Sequence, residues 1–328
     1  MAKVVRVRQP GGPEELVIED MDVGAPGPGE ARVRIEAIGL NRAEAMFRQG
    51  GYIQPPAFPA LIGYEAAGVL EALGPDVSGF EPGQRVSILP NFSQGQYGVY
   101  GELAIVPARS LIPAPEGLSA AESASIWMQY FTAMAIIEVG KVGPGDFVVI
   151  PAASSSVGIA AIQLANWAGA EPIAATRTSA KTEALRAQGA RHVVATEEVD
   201  VPTEIMKITG GKGARIVFDP VGGPFVETWA QAMAERGILF IYGGLSGQPT
   251  PYPHWSAAFK GLSLRGWVAS EIWNRPERFE PARQMILRGL ATGRLKPVID
   301  RTFPLDQIVE AHRYLESNQQ VGKVVVTV

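Results

Sequence analysis

The chain contains no cysteine. That excludes disulfides, a thiolate nucleophile and every cysteine-ligated zinc site. It also lacks an apolar run approaching the roughly 20 residues that a membrane-spanning helix needs. The opening MAKVVRVRQPGG has no long apolar core of the secretory type, so the expected location is cytoplasmic, with no membrane partner. No charge of one sign dominates: 29 basic and 33 acidic residues give a formal net charge of −4. They are mixed along the chain and form no basic patch, which argues against a nucleic-acid partner. What is present suits an ordinary globular protein. Apolar residues make up 46% of 328 residues and charged ones 19%, enough for sizeable cores and about two domains.

Residues 1–110 are rich in glycine, proline and short β-branched runs, including Val4–Val7, Ala31–Glu36, Gly68–Leu73 and Arg85–Leu89. Turn signals separate them: PGPGE at 26–30, GPDVSG at 74–79 and EPGQR at 81–85. This is the pattern of an irregular all-β unit. From about residue 120 the texture changes. Strands are expected at 146–151, 171–176, 191–195, 215–219, 238–242 and 263–269, with helices at 156–168, 179–188 and 202–209. Unbroken apolar strands alternating with helices point to a parallel sheet covered on both faces, hence an α/β fold. Two further helices are expected at 276–292 and 305–317, and a last strand at Lys323–Val328.

The stretch VIPAASSSVGIAAIQL (149–164) passes from strand to helix through small residues. Such a turn aims the helix's free N–H groups and positive dipole end at the loop, which makes an anion site. The dinucleotide fingerprint G-x-G-x-x-G falls on Ala153, Ser155 and Gly158, with only the third glycine kept. Alanine is small enough for the turn, and the serine hydroxyl has a proton to donate to a phosphate oxygen. The alternative is an ordinary strand–helix turn in which Ser154–Ser156 supply the N-cap. Ser156 and Val157 complete the loop as candidate cofactor contacts.

The next strand bears on which dinucleotide fits. Folds that bind NAD usually place Asp or Glu at its end to hold the ribose hydroxyls. Here the sequence runs ATRTSAK, giving Thr176, Arg177, Thr178, Ser179 and Lys181, with no acid. Two cations and several hydroxyls would attract a 2′-phosphate that a carboxylate would repel. The expected cofactor is NADPH; the alternative is that Arg177 and Lys181 are solvated charges opening a helix.

With these residues in view, the chain resembles the medium-chain dehydrogenase/reductase superfamily, within it the zinc-independent quinone oxidoreductase branch. The resemblance runs along essentially the whole chain. It is carried by IGLNRAEAMFRQGGY (38–52), GYEAAGVLEALG (63–74), EPGQRV (81–86), MQYFTA (128–133), VGPGDFVVIPAASSSVG (142–158), VFDPVGG (217–223) and VGKVVVTV (321–328). It implies a GroES-like β domain over 1–124, completed by 268–328, and an inserted Rossmann domain over 125–267 with the cofactor in the cleft between them. It also implies a homodimer, since in such relatives the last Rossmann strand often pairs across the interface. Zinc-dependent members carry Gly-His-Glu where this chain has Gly63-Tyr64-Glu65. A phenol with an ordinary pKa of about 10 is a poor zinc ligand, so no metal is expected. Met46 and Thr196 stand where many relatives have tyrosine.

The resemblance further implies that Asn41 and Tyr52 lie near the nicotinamide and acceptor, that Thr132 touches the cofactor, and that Val221, Tyr242 and Gly243 line the cofactor side of the sheet. Tyr52 and Tyr64 are the candidates for hydrogen-bonding an acceptor oxygen, Tyr52 otherwise being a structural phenol and Tyr64 a filler of the vacated ligand space. Glu65 reads as a general acid or, preferably, as the partner of an arginine in a buried network. Phe92, Tyr97 and Tyr100 in the Gly-rich loop 91–101 and, in the Pro-rich stretch 246–255, His254 are pocket candidates; His192 and His312 read as structural or solvated. Without a metal an alkoxide has no Lewis acid, whereas hydride addition to a quinone or an α,β-unsaturated carbonyl spreads charge through the π system. The expected substrate is therefore a small conjugated carbonyl or quinone. The competing expectations are a metal-free ketone or aldehyde reductase and a non-enzymatic NADPH-binding protein like the lens crystallins of this family.

Overall fold

The computed structural model describes residues 1–52 and 55–328. The chain divides into two compact units, Met1–Met128 with Pro297–Val328, and Gln129–Lys296. The expected boundaries were 124/125 and 267/268. Residues 268–296 instead belong with the second unit, and the reason is aromatic packing: Phe131 meets Trp273 and Phe279 with ring centroids 6.2 and 5.7 Å apart.

The first unit is mostly antiparallel sheet. Its larger sheet runs Ile299–Pro304, Lys323–Thr327, Glu30–Gly39, Glu65–Leu73, Arg85–Ile88, Leu111–Pro113, with Leu103–Pro107 also paired to Glu30–Gly39. The C-terminal strand Lys323–Thr327 pairs antiparallel with Glu30–Gly39, Val325 opposite Gly39, so the tail completes the N-terminal β unit as expected of a GroES-like domain. The alternation of this sheet puts Val33, Ile35, Leu70, Val86, Ile88, Val324 and Val326 into one core. A smaller sheet, Leu16–Met21, Ala2–Val7, Ala60–Leu61, packs its inner residues Val5 and Val7 into the same core.

The second unit holds a six-stranded parallel sheet in the order His192–Ala195, Glu171–Thr176, Phe147–Ile150, Ala214–Asp219, Met233–Ile241, Ser263–Gly266. Numbered along the chain from Phe147–Ile150, that is 3-2-1-4-5-6, the doubly wound Rossmann order. The order reverses beside the first strand, so ligands of such sheets bind beyond its carboxyl end. The strands are apolar because helices cover them, with Val149, Ile173, Val217 and Leu239 fully buried. Three elements differ from expectation. The fifth strand starts at Met233 rather than 238, the sixth ends at Gly266 rather than 269, and the Pro-rich stretch runs into a helix, His254–Lys260, that its sequence does not predict. Pro253 stands just before that helix's first residue, where proline's missing N–H costs nothing. Among the described residues no helix is long and apolar enough to cross a membrane.

Candidate functional site

The expected phosphate loop lies between the first Rossmann strand and the 13-residue helix Ser156–Ala168. Ser155 is the N-cap, its hydroxyl oxygen accepting from the Gly158 N–H at 3.0 Å. Its hydroxyl proton remains to be donated, so the capping and phosphate readings of this serine are compatible. Gly158 has no alternative here. A Cβ at that position would meet the Ala153 carbonyl oxygen at 2.6 Å and its Cα at 2.7 Å. This is the close helix–turn packing for which the third fingerprint glycine is kept. Ala153 is fully buried and ties the loop to the second strand through Ala153 N–H to Ala175 C=O, 3.2 Å. Ser154, Ser156 and Val157 are partly exposed at the helix's open end.

The ATRTSAK segment comes to this loop from the side. Thr176 ends its strand, Arg177 and Thr178 are exposed, and a short 3-10 turn over Ser179–Lys181 directs Lys181 inward. Lys181 Nζ donates to Ser154 Oγ at 3.0 Å. Among the described residues Arg177 forms no ion pair. One acid stands nearby that the sequence reading passed over: Glu198, whose Oε1 accepts from the Ser179 N–H at 2.9 Å and from its hydroxyl at 3.2 Å. The acid missing from the strand end thus comes from the loop after the third strand, where it holds Ser179.

At the carboxyl ends of the fourth and fifth strands two loops are laced together. Leu245 and Ser246 N–H groups donate to the Pro220 and Val221 carbonyls, and a Cβ on Gly243 would meet the Pro220 carbonyl at 2.5 Å. Tyr242 falls just past its strand and stacks on Phe218, centroids 4.0 Å apart. Its buried hydroxyl has no hydrogen-bond partner among the described residues. Asp219, also unremarked in the sequence, is buried and accepts from Val221 N–H at 2.7 Å and Gly222 N–H at 3.2 Å. Burial pushes its carboxyl up to about 6, those two N–H groups opposing. The sequence signal was an acid ending an apolar strand before PVGG. Thr132, nearly buried in the helix Trp127–Ala133, accepts from the Trp267 indole N–H through its carbonyl at 2.8 Å.

In the first unit Asn41 and Tyr64 belong to one buried network. Lys323 Nζ donates to Asn41 Oδ1 at 2.6 Å and to Glu65 Oε2 at 2.7 Å. Glu65 Oε1 accepts from the Met128 N–H at 3.0 Å. The partner of Glu65 is therefore a lysine, not the expected arginine. Gly39 makes the approach possible, because a Cβ there would overlap the Ala124 carbonyl and press the Lys323 stem at 2.8 Å. Asn41 Nδ2 donates to the Gly39 carbonyl at 3.0 Å and to Glu44 Oε1 at 3.2 Å; the Tyr64 N–H reaches the same carboxyl oxygen at 3.3 Å. Lys323 can only donate, which fixes the amide orientation of Asn41. Glu44 and Lys323 were not singled out in the sequence; a glutamate on the buried face of the helix Arg42–Arg48 was the available signal.

Four of the aromatic pocket candidates form one row. Centroids lie 6.3 Å apart for Tyr52–Tyr64, 5.7 Å for Tyr64–Phe92 and 6.0 Å for Phe92–Tyr97. Burial raises the Tyr52 and Tyr64 phenols above their ordinary range, so both stay protonated donors. Gln94 faces the Tyr64 hydroxyl and also holds the Gly63 N–H through Oε1 at 3.1 Å. The Tyr97 hydroxyl is engaged by Glu30 at 2.8 Å. The Tyr52 hydroxyl forms no hydrogen bond among the described residues.

His254 is in the other unit, exposed at the start of its helix beside Tyr252 and Trp255. His312 is structural. Arg48 Nη1 donates to its Nδ1 at 2.9 Å, so the ring carries its proton on Nε2, which faces Tyr100 Oη at 3.2 Å. Burial, then Arg48, holds its pKa down at about 3. Trp127, Tyr130, Phe131 and Trp267 are core, whereas Tyr252 and Trp255 are exposed. Zinc does not fit the residues present: Tyr64 stands in the sequence where zinc-dependent relatives have their histidine ligand, cysteine is absent, and no group of three His, Asp or Glu among the described residues could hold a metal. A nicotinamide dinucleotide does fit the cradle at Gly158 with its capped helix start.

Comparison with known proteins agrees with both units. A family model described as an alcohol dehydrogenase GroES-like domain matches residues 27–116, and one described as a zinc-binding dehydrogenase matches residues 156–288. A 2-haloacrylate reductase from Burkholderia sp is 31% identical, covering 99% of each chain. A crystal structure of Escherichia coli quinone oxidoreductase complexed with NADPH superposes with a TM-score of 0.92 at 26% identity, covering 100% of both chains. One of an NAD-dependent alcohol dehydrogenase gives 0.86 at 34% identity, covering 99% of each.

Proposed function

Since the chain belongs to the medium-chain dehydrogenase/reductase superfamily, in its zinc-independent quinone oxidoreductase branch, we propose that it is an NADPH-dependent reductase of quinones or α,β-unsaturated carbonyls. The observation that carries this reading is the place of Tyr64. Its protonated phenol packs between Tyr52 and Phe92, and in the sequence it replaces the histidine that binds zinc in zinc-dependent relatives. A flat, conjugated acceptor suits an aromatic row with phenol donors, because the negative charge that develops on its oxygen needs a hydrogen bond rather than a metal.

NADPH, when bound, supplies a hydride. The chain's own residues do the rest. The amide-rich start of the helix at Ser156 and the donor hydroxyl of Ser155 receive the pyrophosphate. Lys181 and Arg177 receive the 2′-phosphate, Lys181 steadied by Ser154. Val221, Tyr242, Gly243 and Thr132 line the cofactor's path. The Tyr52 hydroxyl, unengaged among the described residues, and that of Tyr64 hydrogen-bond the acceptor oxygen; Phe92 and Tyr97 supply apolar wall. We further propose a homodimer. Its support is the strand Ser263–Gly266, which ends the sheet with an open edge, and the helix before it, where Trp255 and Phe259 are 70% and 80% exposed.

The test is NADPH oxidation followed with a quinone, an enone and the enone's saturated ketone. Turnover of the first two and roughly 100-fold slower turnover of the third is expected, since only the conjugated acceptors delocalise the charge. Equal rates with enone and saturated ketone would replace conjugate reduction by simple carbonyl reduction. Saturable NADPH binding without turnover of any acceptor would leave a binding protein.

A further inference from the structure

The buried network of the first unit contains one ammonium and two carboxylates. Lys323, Glu65 and Glu44 are 1%, 0% and 0% exposed. Glu65 takes the ammonium at ion-pair distance, 2.7 Å. Glu44 is left to two neutral donors, the Asn41 amide and the Tyr64 N–H, both on Oε1; its Oε2 is buried and has no partner among the described residues. Among the described residues no second cation compensates it. Arg48, one turn further along the same helix, is engaged by Glu316 at 2.7 Å, by the neutral ring of His312 and by the Gly11 carbonyl. The other titratable groups facing Glu44 are phenols, Tyr52, Tyr64 and Tyr100. A second ionised carboxylate here would be a buried charge without a counter-ion, the costliest arrangement a protein interior offers.

We propose that Glu44 is a positioning residue for the acceptor pocket that works in its neutral form, with its proton on Oε2 and its Oε1 holding the Asn41 amide and the Tyr64 backbone together. This rests on the reading above in which Tyr64 hydrogen-bonds the acceptor, and on the resemblance that puts Asn41 near it. Burial pushes the carboxyl up to about 7, against the pull of Lys323 and Asn41. Ionisation sets Glu44 against Glu65 for the single ammonium. Asn41 is the group that moves, because it is bonded to both Glu44 and Lys323. A second consequence concerns polarity. Both Nδ2 hydrogens of Asn41 are engaged, by Gly39 and Glu44, and Oδ1 already accepts once. Asn41 therefore offers a ligand one remaining lone pair and no proton. Its ligand partner is a donor, such as a ribose hydroxyl or a carboxamide N–H, and not the acceptor's carbonyl oxygen.

The experiment follows the Asn41 side-chain NH2 resonances by NMR in the labelled full chain, without substrate, between about pH 5.5 and about pH 8.5. Those resonances should titrate with a midpoint near 7 in the wild type and stay flat in Glu44→Gln, which keeps an acceptor but has no proton to lose. In the same variant the limb that kcat/KM shows around that midpoint should disappear. In Glu44→Leu, which removes the acceptor, kcat/KM should fall roughly tenfold, the scale of one to two hydrogen bonds. A wild-type infrared difference spectrum between about pH 6 and about pH 8 should lose a protonated-carboxyl stretch, which keeps the idea testable if the variants misfold. Asn41 resonances that do not titrate, a titration that survives in Glu44→Gln, or an unaltered pH profile of kcat/KM would each overturn the proposal. Absence of turnover with the titration intact would instead overturn the reductase reading.

Discussion

Lys181 Nζ sits 3.0 Å from the hydroxyl oxygen of Ser154, joining the cationic turn after the second Rossmann strand to the loop that opens the first helix. That contact holds a cation against the phosphate loop. On the proposed function its ligand is the 2′-phosphate. Lys181→Ala should raise the KM for NADPH about tenfold, the scale of one charge-assisted hydrogen bond. Arg177→Ala should do less, about threefold, because Arg177 is exposed and screened. The KM for NADH should change less than about twofold in both. Initial-rate kinetics with the two coenzymes decide it. Equal increases for both would remove the 2′-phosphate assignment and favour the coenzyme choice of the NAD-dependent structural relative.

Gly158→Ala should injure the cofactor site more than any loop serine. The added Cβ meets backbone atoms of Ala153 at 2.6–2.7 Å, and backbone cannot swing aside as a side chain can. Either the helix start shifts or the turn opens. Overpacking of this kind costs about 1–3 kcal/mol of stability, and the displaced N–H groups lose their aim at the pyrophosphate. The variant should melt several degrees lower and bind NADPH at least about tenfold more weakly by fluorescence titration. By contrast, Ser155→Ala loses only a cap, about 1 kcal/mol. If Gly158→Ala binds NADPH as well as Ser155→Ala does, the helix start is not the phosphate site.

The difference between those two variants also shows what was readable in advance. Gly158 stood out because only its chemistry, the lack of a side chain, fits a fingerprint position. The Rossmann strands and the helix Ser156–Ala168 were legible because burial on two faces leaves unbroken apolar runs with sharp ends. The aromatic row was legible only in parts: resemblance offered Tyr52 and Tyr64, the loop 91–101 offered Phe92 and Tyr97, and nothing in the spacing shows that these stretches meet. The network around Glu44 was not legible at all. It depends on Lys323, 279 positions away in the chain, reaching over Gly39, and sequence periodicity carries no information about such a contact. The helix His254–Lys260 was hidden for a local reason: prolines at 249, 251 and 253 read as loop, yet the last of them only precedes the helix.

Two raised carboxyl pKa values give stability a pH dependence of unusual sign. Glu44 goes from an ordinary 4.5 to about 7 and Asp219 from 3.8 to about 6. Between those limits each of the two carboxyls binds more protons in the folded chain than in the unfolded one, so its contribution to stability falls as pH rises; His312, held down to about 3 from 6.5, opposes them by a smaller amount. The contribution is fully present below about pH 4, is lost progressively through about pH 6 to 7, and is flat above that. For Glu44 alone it amounts to roughly 3 kcal/mol at most. Urea unfolding midpoints measured at about pH 5.5 and about pH 8 should therefore differ, with the lower pH the more stable. Glu44→Gln should abolish that difference, leaving the share of Asp219 set against the opposite share of His312. A difference untouched by Glu44→Gln would mean that Glu44 is ionised in the folded chain.

Trp255 and Phe259 stand one helical turn apart, stacked with centroids 5.8 Å from each other, and both face solvent in the isolated chain. Each aromatic side chain covers about 150–250 Å². In a two-fold interface every contact occurs twice. Covering both residues on both copies would remove several hundred Å² of apolar surface from water, on the order of 10 kcal/mol before the costs of association. That is comparable to the whole free energy of a stable dimer, so losing it should dissociate one. Trp255→Glu combined with Phe259→Glu leaves the buried residue of this helix, Ala257, in place; the monomer should fold, with an unchanged far-ultraviolet circular dichroism spectrum. Light scattering after size exclusion should give about twice 35.0 kDa for the wild type and 35.0 kDa for the double variant. A wild type that is monomeric at micromolar concentration, or a variant that stays dimeric, would show that these side chains do not hold two copies together. In the second case the open edge at Ser263–Gly266 would have to carry the association through backbone hydrogen bonds alone.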